Sequence, residues 1–339
     1  MTKPLQQTRL IALDWGTSSL RAYRLGADGK RLELRALPWG VMQLPPAGTE
    51  PNAGFEAAFE QACGDWLLAE PGTPVIAAGM VGSRQGWSEA AYLEVPIAVA
   101  HIGSNLNVVC NRHGQAIHIV PGLIENSLLP NVMRGEETQV IGALSLSGDN
   151  ATGHAEHILI GLPGTHSKWV HVQHTTAQSE LTHFDTFMTG EVYAALCGHT
   201  ILGRGMEAAA PEVASVWHGF ERGLQVAGTA AGAAGVLSTI FSTRTLGLTG
   251  VLDGAGQREY LSGLLIGHEI AALKTLLQNQ GRLPDRVMLV GEDGLCQRYA
   301  NGLHAYGFAG IEIVQQATER GLWQLALSAG LLPHTERTN

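Results

Sequence analysis

In the run LIALDW, Leu10–Trp15, four apolar residues lead into an aspartate; GTSS follows, and the chain resumes in LRAYRL and KRLELRALP with apolar and polar residues alternating. Alternation with period two marks half-buried strands. The turn-like GADGK between the last two segments completes a three-stranded antiparallel meander. From Ala53 to Glu70 the period lengthens, with Phe55, Phe59, Cys63, Trp66 and Leu67 at helical spacing, which predicts a helix with one face on the meander. TPVIAAGM and AIHIVPGL supply further strands, so the first half reads β-β-β-α-β.

The second half repeats this order. HILIGLPGTHSKWVHVQ gives strand, Gly-Thr turn and strand, ELTHFDTF a third strand, and GEVYAALCG opens a helical stretch. DRVMLVGEDGL and GIEIVQ are later strands, each followed by a helical pattern. When the two openings are overlaid, Gly16-Thr17 falls on Gly164-Thr165 and Ser19 on Ser167, whereas Asp14 falls on Leu162. Each echo opens a similar run of elements, as an internal duplication would. The expected domains are 1–139 and 140–339, with Asn111 to Asn131 as the crossing and a helical insertion over about 203–250. The closing pattern ERGLWQLALSAG either packs back on the first domain or completes the second.

Composition narrows the functions open to such a chain. Its 339 residues are 45% hydrophobic and 15% charged, enough for a sizeable core and against a disordered protein. A formal charge of -9 argues against nucleic-acid and anionic-membrane surfaces, so small molecules are the expected partners. Met1 to Arg9 lacks an apolar signal core and no later segment has the length of a membrane span, which gives a cytoplasmic expectation. The four cysteines are scattered, and no H-E-x-x-H pair points to zinc.

The hairpin tips carry the candidate chemistry. A glycine turn lets backbone amides approach an anion, and the hydroxyls of Thr17 and Ser18 beside Gly16 add donors suited to phosphate oxygens. Asp14, at the strand end, is placed to hold a hydrated magnesium ion; the plainer reading has it accepting hydrogen bonds within the turn. Gly164 and Thr165 offer an opposing clamp, with Lys168 either neutralising phosphate charge or standing as a solvated strand residue. No G-x-x-x-x-G-K-[ST] and no G-x-S-x-G occurs, which argues against a Walker site and a hydrolase elbow.

DWGTSS, LPGTHS and VMLVGEDGL, in that order, resemble the two phosphate hairpins and the adenosine loop of the superfamily that unites sugar kinases, heat-shock ATPases and actin. The resemblance implies an α/β fold of two ribonuclease-H-like domains around a central cleft that binds ATP and magnesium. NVMRGEETQVIGA is similar to the stretch that opens a helix with the catalytic aspartate in glycerol and xylulose kinases; glutamate stands here instead. Glu136 takes the position of the base, with Glu137 as its rival and a pair of ordinary N-terminal helix residues as the plainer reading.

A narrower set of blocks resembles the 2-dehydro-3-deoxygalactonokinase family: DWGTSSLRAY, AAGMVGSRQGW, VPGL, NVMRGEETQVIGA, PGTHSKWV, MTGEVYAAL and YLSGLLIGHEI. That resemblance implies phosphorylation of the C6 hydroxyl of a keto-deoxy sugar acid. The acid's carboxylate calls for an arginine fork, Arg134 first and Arg84 second, each otherwise a surface charge. Thr189 and Glu191 are expected at sugar hydroxyls or simply as a helix start, and Gly291 and Gly294 at the adenosine or in a plain turn. A kinase for another sugar and a non-catalytic ATP or sugar sensor are the alternatives, and a homo-oligomer stays open.

Overall fold

The predicted meander forms at the start of the chain. In the computed structural model, which describes residues 7–146, 155–176, 178–206, 213–281 and 283–333, β1 (Leu10–Trp15) pairs antiparallel with β2 (Leu20–Leu25), and β2 with β3 (Arg31–Leu37). The polar start Met1 to Gln6 lies outside the described residues. The predicted helix appears as α1 (Ala53–Phe59), a wider turn at Glu60–Gly64, and α2 (Asp65–Ala69). Its Phe55, Phe59, Cys63 and Trp66 are buried in one cluster with Trp15 and Leu20, so the helical period does bury its apolar stripe on the meander.

The next strands are short. β4 (Val75–Ala78), buried at all four positions, runs parallel to β1. β5 (Tyr92–Glu94), β6 (Ile97–Ala98), α3 (Val99–Gly103) and β7 (Asn107–Cys110) precede β8 (Ala116–Ile119), which adds parallel to β4. The resulting sheet is ordered β3-β2-β1-β4-β8-β7. β9 (Gly122–Glu125) and β10 (Asn131–Met133) form a small sheet with β5, and α4 (Glu136–Leu146) follows. The expected crossing at Asn111 to Asn131 is therefore corrected: this stretch supplies β8, with Ile117 and Ile119 fully buried, and β9. Its prolines fall where the chain leaves β8 and enters β10.

The second half begins with β11 (Glu156–Leu162), β12 (Ser167–His174) and β13 (Ser179–Phe187), followed by α5 (Thr189–His199). The helical insertion expected over about 203–250 holds α6 (Val213–Ala227), α7 (Ala230–Ala233), α8 (Val236–Thr239) and α9 (Ser242–Leu248); its residues 207–212 lie outside the described ones. Asp253 caps α10 (Gly254–Asn279) by accepting from Gly256 N–H at 2.6 Å. β14 (Arg286–Val290), α11 (Asp293–Ala305), β15 (Ile311–Val314) and α12 (Ala317–Ser328) complete the described chain. The second large sheet is ordered β15-β14-β11-β12-β13-β6. Each large sheet thus has its first strand flanked by its second on one side and a later parallel strand on the other, β4 beside β1 and β14 beside β11.

The chain divides into two compact units, Met1–Ala155 with Val172–Phe184 and Val314–Asn339, and Glu156–His171 with Asp185–Ile313. A single cut at 139/140 would fall inside α4, so the expected boundary is corrected. The alternative left open for the closing helix is also decided: α12 belongs to the first unit, where Glu319 pairs with Arg31 at 3.1 Å and Leu322 is fully buried. The fold is mixed α/β, and among the described residues no helix is long and apolar enough to cross a membrane.

Candidate active site

The first hairpin tip is set by backbone contacts. Gly16 N–H donates to Ser19 O at 2.9 Å, and Val41 N–H and Met42 N–H donate back to Gly16 O and Thr17 O at 3.0 and 3.1 Å. A Cβ on Gly40 would lie 2.2 Å from Thr17 O, so this loop reaches the tip only because residue 40 has no side chain. Thr17 and Ser18 are left exposed. Asp14, directly opposite Arg21 in the β1–β2 register, receives the Arg21 Nη1–H at 3.2 Å. Burial raises the Asp14 carboxyl above its ordinary range, while Arg21 pulls it down. Its side chain keeps 24% exposure. Arg21 was absent from the sequence reading, although counting back across the Gly16–Ser19 turn pairs it with Asp14.

The same unit assembles an acidic and basic cluster at β10 and α4. Arg134 is 9% exposed. Its guanidinium lies 4.3 Å over the Tyr92 ring, and Nη2–H donates to Ala90 O at 2.8 Å. Nε and Nη1 are buried without a hydrogen-bond partner, and so is Ser83 Oγ. The chain beside Ser83 abuts this guanidinium, since a Cβ on Gly82 would lie 3.0 Å from Nη1. Unsatisfied buried donors are costly and rare, so a built position with two of them together is a place for an acceptor. Arg84, the second choice, is exposed.

Glu136 and Glu137 open α4 with different fates. Glu136 is partly exposed, accepts from Arg134 N–H at 3.0 Å through Oε2, and stands at the helix start, where the dipole favours its ionised form. Glu137 is fully buried; its oxygens accept from Gly135 N–H at 2.6 Å and Thr138 Oγ1 at 3.2 Å. Burial, reinforced by the neighbouring charge of Glu136, pushes Glu137 up to about 7. Of the two, Glu136 is the carboxylate that a substrate can touch.

In the second unit, the tip between β11 and β12 is braced by the first turn of α5. Glu191 N–H donates to Thr165 O at 3.0 Å, and a Cβ on Gly190 would lie 2.3 Å from Gly164 O. Thr165 is exposed, and His166 bonds the Glu191 carboxylate. Gly164 and Thr189 border a cavity of about 240 Å³, with Glu259 and Ser262 of α10 and Arg298 and Tyr299 of α11 as further walls. Leu265 and Leu295 give it apolar surface.

For several expected residues the structure bears on the alternatives left open: Thr189 does begin a helix, α5, with Glu191 in its first turn. Lys168 is buried and its Nζ donates to Thr186 Oγ1 at 2.7 Å, so it is not a solvated strand residue. Gly291 is exposed in the loop before α11 and Gly294 is exposed in its first turn, where Glu292 caps the helix by accepting from Gly294 N–H and Leu295 N–H at 3.0 and 2.8 Å. The cavity is lined by Leu295, the residue after Gly294, and by Arg298 and Tyr299 one turn further on. Thr189 lines the cavity beside Gly164, on the side of the second hairpin. Glu259, Ser262, Arg298 and Tyr299 were missed, because residues brought in from two separate helices leave no local motif.

Two glycine-and-hydroxyl hairpins in a mixed α/β chain, one of them carrying a carboxylate, suit a kinase for a small molecule. The profile of the 2-keto-3-deoxy-galactonokinase family matches residues 14–325, and the chain belongs to that family. It is 36% identical over 300 residues to 2-dehydro-3-deoxygalactonokinase of Escherichia coli (strain K12), covering 88% of this chain and 90% of that one. Identity is 37% over 297 residues to the Probable 2-dehydro-3-deoxygalactonokinase of Rhizobium meliloti (strain 1021), with 87% and 89% covered. The crystal structure of a candidate 2-dehydro-3-deoxygalactonokinase from Sinorhizobium meliloti superimposes with a TM-score of 0.75 at 34% identity, over 94% of this chain and 98% of that one.

Proposed function

We propose that the chain transfers the terminal phosphoryl group of ATP to the C6 hydroxyl of 2-dehydro-3-deoxy-D-galactonate, forming the 6-phosphate in galactonate breakdown. Family membership supports the substrate class. The single observation that carries it to these residues is Arg134, held by Tyr92 and Ala90 with Nε–H and Nη1–H buried and unpaired. A buried guanidinium charge with donors still to satisfy calls for an anionic partner such as a carboxylate, which a neutral sugar does not offer. In the fold, the strand placement shared by the two large sheets supports reading each half as ribonuclease-H-like.

Glu136 takes the proton from the C6 hydroxyl as that oxygen bonds to the terminal phosphorus and the bond to the ADP oxygen breaks. Thr17 and Ser18, in the turn that Gly16 closes through Ser19 O, supply amide and hydroxyl donors suited to phosphate oxygens, and Gly164 and Thr165 offer a like set. The cavity beside Gly164 takes the nucleoside, its apolar walls against the base. Asp14 suits magnesium, which accepts one carboxylate together with waters and phosphate oxygens; when bound, the ion would neutralise phosphoryl charge. Thr189 joins the phosphate side of this arrangement, and Glu191 holds His166 at its rim.

The test is ADP release across a panel of sugar acids and matched neutral sugars, with Arg134→Lys alongside. The acid should be preferred, and Arg134→Lys should raise its Michaelis constant on the order of 10- to 100-fold while that for ATP stays put, because lysine keeps the charge but loses the fork. Equal shifts in both constants, or preference for a neutral sugar, would count against the assignment.

A further inference from the structure

We infer that Glu269 is the positioning residue of the nucleotide site: a carboxylate beneath the cavity that fixes the second hairpin and the start of α5. This rests on the nucleotide reading of that cavity. Glu269 lies on α10 and is 3% exposed, out of reach of solvent and of any ligand. Its Oε1 accepts from Trp169 Nε1–H at 2.8 Å, and its Oε2 from Tyr299 O–H at 2.7 Å. Tyr299 is also 2.9 Å from Ser167 Oγ; burial raises the Glu269 carboxyl above its ordinary range, while the nearby hydroxyls of Thr189 and Ser167, with Tyr299 and Trp169, pull it back down. One buried group therefore ties together the first residue of β12, the first residue of α5 and a residue of α11. Two of the residues it holds, Thr189 and Tyr299, face the cavity.

The donors explain why the residue is an acid. Indole N–H only donates, and a tyrosine hydroxyl has one proton to give. With that proton committed to Glu269, Ser167 must donate its own to the Tyr299 oxygen or to the carboxyl, so every hydroxyl in the set points inward. A carboxylate accepting several hydrogen bonds can remain under an apolar helix face where an isolated charge could not. Glutamine breaks the pattern at one atom: its carbonyl can still serve Trp169, but its amide N–H confronts Tyr299 O–H. Tyr299 must then turn its proton to Ser167, and the cradle loses its fixed orientation.

The experiment measures magnesium-ADP affinity by titration calorimetry and the Michaelis constant for the sugar acid, in the parent, Glu269→Gln and Tyr299→Phe. Glu269→Gln should weaken magnesium-ADP on the order of 10-fold, the usual scale for a lost hydrogen bond to a charged group, and leave the sugar-acid constant within about twofold. Tyr299→Phe preserves the ring and the core while cutting the link to Ser167; it should shift the same way, and it serves if Glu269→Gln does not fold. Parental magnesium-ADP affinity in a folded variant, or equal loss for both ligands, would overturn the positioning role. Ser262→Trp, which fills the cavity, separates the two layers of the argument. Undiminished magnesium-ADP binding in that variant would overturn the nucleotide reading and the inference with it. Binding lost there but parental in Glu269→Gln and Tyr299→Phe would overturn the inference alone.

Discussion

The two hairpins share a Gly-Thr turn and differ in what stands behind it. At the end of β1 is Asp14, partly open and paired with Arg21; at the matching position of β11 is Leu162, only 4% exposed. The first hairpin carries its own charge, whereas the second offers backbone and hydroxyl groups steadied from beneath. Among the described residues the first unit buries Glu137 and Glu319, and the second buries Glu269. Glu137 lies beside a second carboxylate, and Glu269 lies among neutral donors alone. The tip of the first hairpin thus has a partly open carboxylate behind it, and the tip of the second has a buried one beneath it.

The largest effect should come from exchanging those strand-end residues for a common one. Asp14→Asn should lower turnover on the order of 10³-fold, about 4 kcal/mol of transition-state stabilisation, with an unchanged melting temperature, since burial already disfavours the charge. Leu162→Asn should instead lower the melting temperature, by roughly 2–4 kcal/mol of stability, because it buries an amide without a partner. Turnover compared with melting curves decides it; two variants that fail in the same way would erase the contrast.

A smaller effect should follow from crowding each turn with one methyl group. Gly40→Ala meets Thr17 O and should chiefly depress turnover, while Gly190→Ala meets Gly164 O and should chiefly raise the Michaelis constant for ATP. Displacing a phosphate-binding group by about 1 Å can cost up to roughly 10²-fold, and ten- to hundredfold is expected in both. Steady-state constants for the pair would show whether the two turns divide the work, and identical profiles would mean that they do not.

The smallest effect concerns the buried acid of the first unit. Because Glu137 holds its proton up to about 7 when folded, against about 4.5 for an ordinary glutamate, the folded state binds more protons than the unfolded chain between those values, and stability falls as pH rises through that window. The loss is at most about 3 kcal/mol. Glu137→Gln should flatten this component of the pH profile while keeping the Gly135 contact. Melting curves from pH 4.5 to 8 that show the same slope in parent and variant would contradict it.

Local pattern revealed the parts of the molecule that are local. The meander, the helix from Ala53 and both Gly-Thr turns follow from period and turn chemistry within about twenty residues. Strands of two to four residues, such as β5, β6 and β7, are too short to show a period, whereas the AIHI of β8 is legible as a strand even though it falls within the expected crossing. The return of α12 to the first unit depends on contacts hundreds of residues apart in sequence, including Arg31 with Glu319. In the site, sequence brought Arg134, Glu136 and Glu137 forward together but not their burial, and burial is what separates a carboxylate that meets substrate from one that braces a turn. Glu269 was not singled out, since one acid on a long helix becomes meaningful only through the tryptophan and tyrosine that reach it.

Single-turnover phosphorylation of the sugar acid by Glu136→Gln, with Glu137→Gln beside it, tests the central assignment most directly, because it isolates the chemical step from product release. Glu136→Gln should bind magnesium-ATP and sugar acid much as the parent does and transfer phosphate on the order of 10²- to 10⁴-fold more slowly, with Glu137→Gln far milder. A parental chemical rate in Glu136→Gln, or a severe loss confined to Glu137→Gln, would contradict the account.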